Sequence, residues 1–354
     1  MSLFKIKNTA TIGDLEFDLT PIPDDPDIAQ IWPAGAVHDP GYLDKIDKEI
    51  EDAGGELTRW VWEKKFDGER LLLHFTSGLV RATTRRQTKK TGLMNEKTNN
   101  VPHLRCLYQP ELEGTVIDGE IIYEGSLDTL GLTQSIMNSK PDRAIELQKQ
   151  VGWVTFRAFD CLFYKGEDIR QLPWGHRRNY LNRVLDSVWK EFKVSDKYLR
   201  LSTAYTAEEY KDAFKRITSD GGEGLILKDI HSKYGESKSW IKVKNEEFVD
   251  AFVTGWEKGQ GRNSEVCGYL KFSVWNEDRT EMIEIARVGA LPDDIRRRVS
   301  ENYSEFHLEV AELKAQEVTK FCRLRHPRIQ RWRPDKGDAE CSITRVQSLQ
   351  KCSD

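Results

Sequence analysis

From Arg59 onward, apolar residues recur at every second position in a series of short runs, the spacing of half-buried strands. Trp60 and Trp62 open the first run and Leu71 to Phe75 form the second, with Asp67-Gly68 between them as a turn that joins the two into a hairpin. Leu79 to Thr83 continues the sheet, and Thr84 to Gly92 reads as a cationic turn. Thr115 to Tyr123 and Trp153 to Tyr164 are further strands, the second ending in the turn Lys165 to Asp168. Residues 124 to 150 are polar and helical in part. Pro173 then precedes a long helix from near Trp174, whose Tyr180, Leu181, Val184, Leu185 and Val188 share one face. A second helix has capping-box spacing at Thr206 and Glu209 and a buried stripe of Tyr210, Ala213, Phe214 and Ile217. Gly224 to Lys228 and Trp240 to Lys244 return to strand spacing.

The two ends of the chain differ from this middle. Pro21, Pro23, Pro26 and Pro33 exclude long regular elements from a polar lead-in of about 58 residues, although Gly41 to Ala53 fits a short helix stopping at Gly54-Gly55. No chemistry is assigned to the lead-in, which reads as packing or capping. Beyond about residue 246, Phe248 to Glu257, Cys267 to Trp275 and Met282 to Val288 read as strands. Leu291 to Tyr303 reads as a helix, and Leu308 to Val318 and Leu324 to Trp332 as strands again. That is the pattern of a small OB-fold barrel. Two domains follow, residues 1–246 and residues 247–354, and Ser342 to Asp354 is a short polar tail.

Composition narrows the class. Of 354 residues, 38% are hydrophobic and 32% charged, enough apolar material for real cores. No apolar run is long enough to span a bilayer, and Met1 to Lys7 lacks the apolar core of a signal peptide. The six cysteines show no C-x-x-C spacing and read as reduced thiols of a cytosolic protein; the seven histidines are scattered without metal-ligand spacing. The net charge is −4, but the signs segregate. Asp24, Asp25, Asp27, Asp44, Asp47, Glu49, Glu51 and Asp52 make the start acidic, whereas Arg323, Arg325, Arg328, Arg331, Arg333 and Lys336 cluster near the end. A local basic surface is compatible with that balance.

Chemistry concentrates in a few strands. Lys65 stands beside a turn with Asp67 two residues on and Arg70 five residues on. A lysine amine becomes a nucleophile when burial or nearby cations lower its pKa. Glu120 places a carboxylate on an apolar strand, which is costly unless the group is paired or binds a metal. Lys242 and Lys244 point to one side of their strand and repel unless solvent or an anion lies between them.

Lys65-Phe66-Asp67-Gly68-Glu69-Arg70 resembles the K-x-D-G-x-R motif of the ATP-dependent DNA ligases, within the covalent nucleotidyltransferases. The resemblance covers roughly residues 59 to 340. Thr84-Arg85-Arg86 is similar to the family's S-R-N segment, leaving Arg85 and Arg86 as alternatives for its arginine. Asp118-Gly119-Glu120, Phe159-Asp160-Cys161-Leu162, Glu223 to Lys228, Trp240 to Lys244 and Arg333-Pro334-Asp335-Lys336 match later motifs in the family's order.

The resemblance implies an α+β fold: a nucleotidyltransferase domain of ATP-grasp-like antiparallel sheets with helices, then the OB-fold domain. It implies that Lys65 attacks the α-phosphate of ATP and forms lysyl-AMP. AMP then passes to the 5′-phosphate of a nick in duplex DNA, and the 3′-hydroxyl displaces it. Lys242 and Lys244 would face the α-phosphate, Phe159 the adenine, and Glu63 would help to recognise the base. Arg70 and Arg85 would hold sugar or phosphate. Glu120 and Glu223 would bind Mg2+ or hold the ribose. Arg333, Asp335 and Lys336 would act on the pyrophosphate, with Arg328 and Arg331 joining them or contacting DNA phosphates.

The lead-in is too short for the additional N-terminal DNA-binding domain of larger members, so a compact monomeric ligase of the phage and bacterial kind is expected, acting in the cytosol. The alternatives are an RNA ligase, an mRNA-capping guanylyltransferase and a non-catalytic nick-binding protein.

Overall fold

A computed structural model describes residues 8–13, 15–53, 59–125, 129–193, 195–244, 247–261, 264–319 and 321–349. The chain divides into two compact units, Met1–Val243 and Lys244–Asp354.

The first unit opens with a hairpin of β1 (Thr9–Ile12) and β2 (Leu15–Asp18), followed by helix α1 (Pro40–Asp52). Asp39 caps that helix by accepting from the Tyr42 amide at 3.1 Å; its expected stop at Gly54-Gly55 lies outside the described residues. Next come β3 (Trp60–Lys64), β4 (Glu69–Thr76), β5 (Leu79–Gln87), β6 (Met94–Glu96), α2 (Pro102–Arg105), β7 (Thr115–Ile122), α3 (Thr129–Met137), α4 (Pro141–Val151), β8 (Thr155–Tyr164), β9 (Glu167–Asp168) and α5 (Trp174–Glu191). The unit closes with β10 (Leu199–Leu201), β11 (Ala204–Tyr205), α6 (Tyr210–Ser219), β12 (Gly224–Asp229) and β13 (Trp240–Lys244).

These strands form two main sheets. One is seven-stranded in the order β10-β8-β7-β4-β5-β6, with β9 on β8; the other is four-stranded, β11-β3-β12-β13. Each has its own core. Leu71, Leu73, Ile117, Ile121 and Phe156 of the larger sheet pack with Leu181, Val184, Leu185 and Val188 of α5. Trp60, Trp62, Leu225, Leu227 and Ile241 of the smaller sheet pack with Ile46 and Ile50 of α1 and Tyr210 and Ile217 of α6.

The hairpin expected at Asp67-Gly68 does not form. β3 pairs with β11 and β12, whereas β4 pairs with β5 and β7, so Lys65 to Gly68 crosses from one sheet to the other. Gly68 lies against β7, where a Cβ would come within 2.2 Å of the Ile121 carbonyl oxygen. Glycine is therefore needed for close backbone approach rather than for a turn. The cationic turn is also shorter than expected: β5 runs on to Gln87, placing Thr84, Arg85 and Arg86 on a strand.

The second unit contains β14 (Glu247–Lys258), β15 (Cys267–Trp275), β16 (Met282–Val288), α7 (Asp293–Glu301), β17 (Val310–Ala315), β18 (Glu317–Val318), β19 (Leu324–Arg325), β20 (Arg328–Trp332) and α8 (Ile343–Ser348). Its main sheet is antiparallel in the order β16-β15-β14-β17-β20. Among the described residues β16 and β20 are the edges of this sheet, which is not closed and stands where the sequence reading expects a small OB-fold barrel. The run Leu324 to Trp332 is two strands, because His326 adopts φ +50° and Pro327 lacks an amide donor. The expected polar tail instead starts with α8, which Ser342 caps through the Thr344 amide and which buries Ile343 and Val346.

Candidate active site

Lys65 sits where the chain leaves β3. Its amide donates to the Gly224 carbonyl at 2.9 Å, so pairing with β12 continues one residue past the strand. Its Nζ donates to Glu223 Oε2, and both side chains are mostly shielded from solvent, at 19% and 9% exposure. The expected nucleophile is thus paired with an expected carboxylate on the neighbouring strand's leader.

Below this pair lies a buried ionic chain. Glu63, two residues before Lys65, accepts from Lys228 Nζ at 2.5 Å and from Arg178 Nη1 at 2.7 Å. Lys228 is 2% exposed, and its Nζ lies 4.7 Å from the Phe159 ring centroid and 4.3 Å from that of Trp240. Burial lowers its pKa, with Glu63 opposing the shift. Neither Lys228 nor Arg178 was among the sequence candidates. Lys228 had a visible signal, a lysine at the end of the apolar run Leu225 to Leu227; Arg178, on an exposed-looking turn of α5, had none.

Arg70, expected to hold sugar or phosphate, makes most of its hydrogen bonds within the protein. Its Nε donates to Asp118 Oδ1 at 2.9 Å, and its Nη2 donates to Asp118 Oδ2 at 2.5 Å and to the Tyr234 hydroxyl at 3.2 Å. Nη1 donates to the Ala34 carbonyl. One Nη1–H remains of the five a guanidinium carries. The Phe159 and Trp240 ring centroids lie 5.2 Å and 5.3 Å from its central carbon. Burial works against its charge, but Asp118 outweighs that and raises its pKa. Arg70 is therefore committed inside the protein.

Glu120 is cross-strand from Arg70. Among the described residues its carboxylate has neither hydrogen bond nor ion pair. Burial pushes it up to about 7, with Arg70 and Lys65 pulling it down. Phe159 is the extra residue of a β-bulge: Asp118 faces Asp160 while Gly119 faces Ala158, so Phe159 has no partner on β7. Bulges re-aim side chains, and this one turns the ring towards Arg70 and Lys228. Asp160 itself is fully buried against Arg177, at 2.8 and 2.9 Å.

Lys242 and Lys244 lie on β13, partly buried. Arg85 and Arg86 are both exposed on β5, so the structure gives no reason to prefer one.

In the second unit, Arg333, Asp335 and Lys336 gather around Asp250 of β14. Arg333 bonds Asp335 at 2.7 and 2.9 Å and Asp250 at 3.2 Å, and Lys336 bonds Asp250 at 2.5 Å. The hydrogen bonds from Arg333 hold Asp335 down at about 2. Asp250 was not a sequence candidate. Arg331 pairs with Glu312 at 3.1 Å, and Arg328 is exposed.

A lysine and a carboxylate in contact, a bare carboxylate nearby, and a ring beside a buried cation suit reactions of a phosphorylated nucleotide. Residues 42–244 match the family described as ATP dependent DNA ligase domain. The chain belongs to that family. The match takes in Lys65 and both lysines of β13.

Among curated relatives, DNA ligase 4 of Candida albicans is 28% identical over 253 residues, 65% of this chain and 26% of that protein. The DNA ligase of Methanocorpusculum labreanum is 28% identical over 334 residues, 81% of this chain and 55% of that protein. This ligase-family chain thus spans between a quarter and just over half of the length of these relatives. A solved structure of a Lig E DNA ligase shares the fold with a TM-score of 0.58 at 19% identity, covering 86% of this chain and 99% of that one. No helix among the described residues is long and apolar enough to cross a membrane.

Proposed function

We propose that this ligase-family chain seals nicks in duplex DNA with ATP, through AMP bound to Lys65. The observation that carries this reading is the Lys65–Glu223 contact at the crossing between the two sheets. Attack needs a neutral amine, and Glu223 Oε2 is placed to take the proton that Lys65 gives up. Nitrogen bonds to the α-phosphorus of ATP and pyrophosphate leaves. The 5′-phosphate oxygen of the nick next takes the AMP, releasing Lys65. The 3′-hydroxyl oxygen then attacks the 5′-phosphorus, and AMP leaves.

Each step is a displacement at a phosphorus crowded with negative charge, so positioning and charge neutralisation dominate. Lys242 and Lys244 supply positive charge to the α-phosphate. Phe159 offers its ring to adenine, and the Glu63–Lys228 pair beneath it offers polar groups to the base. Arg85 or Arg86 contacts sugar or phosphate. Arg333, Asp335 and Lys336 serve the first step at the pyrophosphate.

The carboxylates fit Mg2+. Glu120 makes no hydrogen bond or ion pair among the described residues although Arg70 and Lys65 lie near enough to favour its charged form, and Mg2+ is commonly held by one or two carboxylates together with substrate phosphates and water. Glu120 and Glu223 would hold the ion. When bound, it neutralises charge on phosphoryl oxygens.

The free thiols of Cys106, Cys161, Cys267 and Cys341 fit a reducing cytosol. We read the active species as a monomer.

The test is sealing of a singly nicked duplex with ATP and Mg2+, run beside the same nick made in RNA. Sealed DNA with ATP supports the reading. Sealing of RNA alone, or labelling of the protein by GTP alone, redirects it to RNA repair or capping.

A further inference from the structure

We infer that the segment Ile31 to Val37 is a positioning strap for the active site. The inference rests on the reading of Lys65 as the adenylated lysine. The strap uses its backbone. The Ala34 amide donates to the Tyr234 hydroxyl at 2.9 Å, and its carbonyl accepts from Arg70. The Val37 amide donates to the Trp240 carbonyl at 2.9 Å, and its carbonyl accepts from the Lys242 amide at 2.8 Å. Two residues therefore spend all four backbone groups on elements of the site.

The contacts are placed to matter. β13 is the last strand of its sheet, so its outer edge would otherwise present unpaired groups. Val37 covers that edge as a parallel bridge to Ile241, next to Lys242. Ala34 meets the other sheet, because Arg70 stands on β4. The strap thus ties the strand carrying the lysine pair to the sheet carrying Arg70 and Glu120. It is anchored on both sides of these contacts. Ile31 is buried with Leu72, Val116 and Leu162, and Asp39 accepts from Lys238 at 2.7 Å in the loop leading into β13.

Tyr234 is the knot. Its hydroxyl donates to Asp118 Oδ2 at 2.5 Å while accepting from Ala34 and Arg70. Its ring meets Trp240 edge-on, with centroids 5.6 Å apart. Tyr234 thus touches both sheets and the strap, and adds to the direct bonds of Val37 to β13 and of Ala34 to Arg70. Reactions that depend on near-attack geometry are sensitive to displacements of about 1 Å. The side chain of Val37 is 40% exposed, so its backbone rather than its side chain carries the effect.

The test compares Val37→Pro, Val37→Ala and Tyr234→Phe with the wild-type chain. Proline removes the amide that bonds Trp240, alanine keeps it, and phenylalanine removes the hydroxyl that receives Ala34. The rate and ATP dependence of AMP labelling are measured well below each variant's melting temperature, where a purely structural role has no effect on rate. Val37→Pro and Tyr234→Phe should label about ten- to a hundredfold more slowly at saturating ATP, and Val37→Ala should match wild type. If Val37→Pro does not fold, Ala34→Pro decides and should label as slowly, because it removes only the amide that bonds Tyr234, whereas Tyr234→Phe also removes the bonds to Asp118 and Arg70. Wild-type rates in Tyr234→Phe, or equal damage from Val37→Ala and Val37→Pro, would overturn the proposal. If the wild-type chain takes no label, the adenylation reading itself falls and the strap proposal with it.

Discussion

Lys65 Nζ donates to Glu223 Oε2 across the junction of two sheets, and the Lys65 amide holds the residue after Glu223 at 2.9 Å. Side chain and backbone are thus fixed to the same short stretch at the start of β12. Removing the carboxylate should leave the lysine in place but without its proton acceptor. Glu223→Gln is expected to slow AMP transfer by about a hundredfold with little change in melting temperature. Stopped-time labelling and a thermal melt on one preparation check both halves.

The Glu63–Lys228 pair makes the opposite kind of prediction. Both side chains are 2% exposed, so truncating one strands a buried charge. Glu63→Ala should cost about 3–5 kcal/mol of stability. The double variant Glu63→Gln, Lys228→Met should recover part of it, since the Lys228 charge is gone while Arg178, the other partner of Glu63, stays charged and keeps its bond to the Ser202 carbonyl. Urea unfolding of the wild type, Glu63→Gln, Lys228→Met and the double variant measures the coupling, with Glu63→Ala giving the cost of truncation.

Arg70→Lys is not conservative here. An ammonium cannot keep the two-pronged contact with Asp118 while also reaching Tyr234 and Ala34. We expect a loss of about 2–3 kcal/mol, read by denaturant unfolding.

Glu120 shows the reverse balance. Burial lifts its pKa to about 7, above the ordinary 4.5, so the native state binds a proton more tightly than the unfolded chain does. Between those values stability falls as pH rises, and above about 7 the native state carries the cost of a charged, unpaired carboxylate. Glu120→Gln should therefore melt higher at pH 8 while sealing far less DNA. A lower melting temperature would contradict this.

Two buried imidazoles set the acid limit. Burial lowers both His74 and His103 to about 4 from the ordinary 6.5. Between those values the unfolded chain binds more protons, so stability falls as pH falls through that window. Full protonation costs about 3 kcal/mol for each imidazole. Replacing His74, which bonds Thr83 at 2.9 Å, by Gln should flatten the acid limb of a stability–pH curve.

Much of this was legible in the sequence because strands and helices bury residues at fixed periods. Cys267 to Trp275 and Met282 to Val288 are strands over the bounds read from the sequence, and the strand read at Thr115 to Tyr123 runs Thr115–Ile122. Spacing does not say which strands pair. Trp60 to Lys64 and Glu69 to Thr76 look like a hairpin but lie in different sheets, a matter of long-range registry. Nor does a residue type reveal its partners. Arg70 reads as a ligand of sugar or phosphate, and only the structure shows four of its five N–H groups bonded to Asp118, Tyr234 and Ala34. The strap was opaque for a related reason, since its contacts are made by backbone groups that every residue possesses.

The most direct test is chemical identification of the labelled residue. The protein is incubated with Mg2+ and ATP labelled at the α-phosphate, digested under conditions that preserve the phosphoramidate, and mapped by mass spectrometry. The account predicts AMP on Lys65, its loss on adding nicked duplex DNA, and no label in Lys65→Ala. AMP on Lys64, or undiminished label in Lys65→Ala, would contradict it.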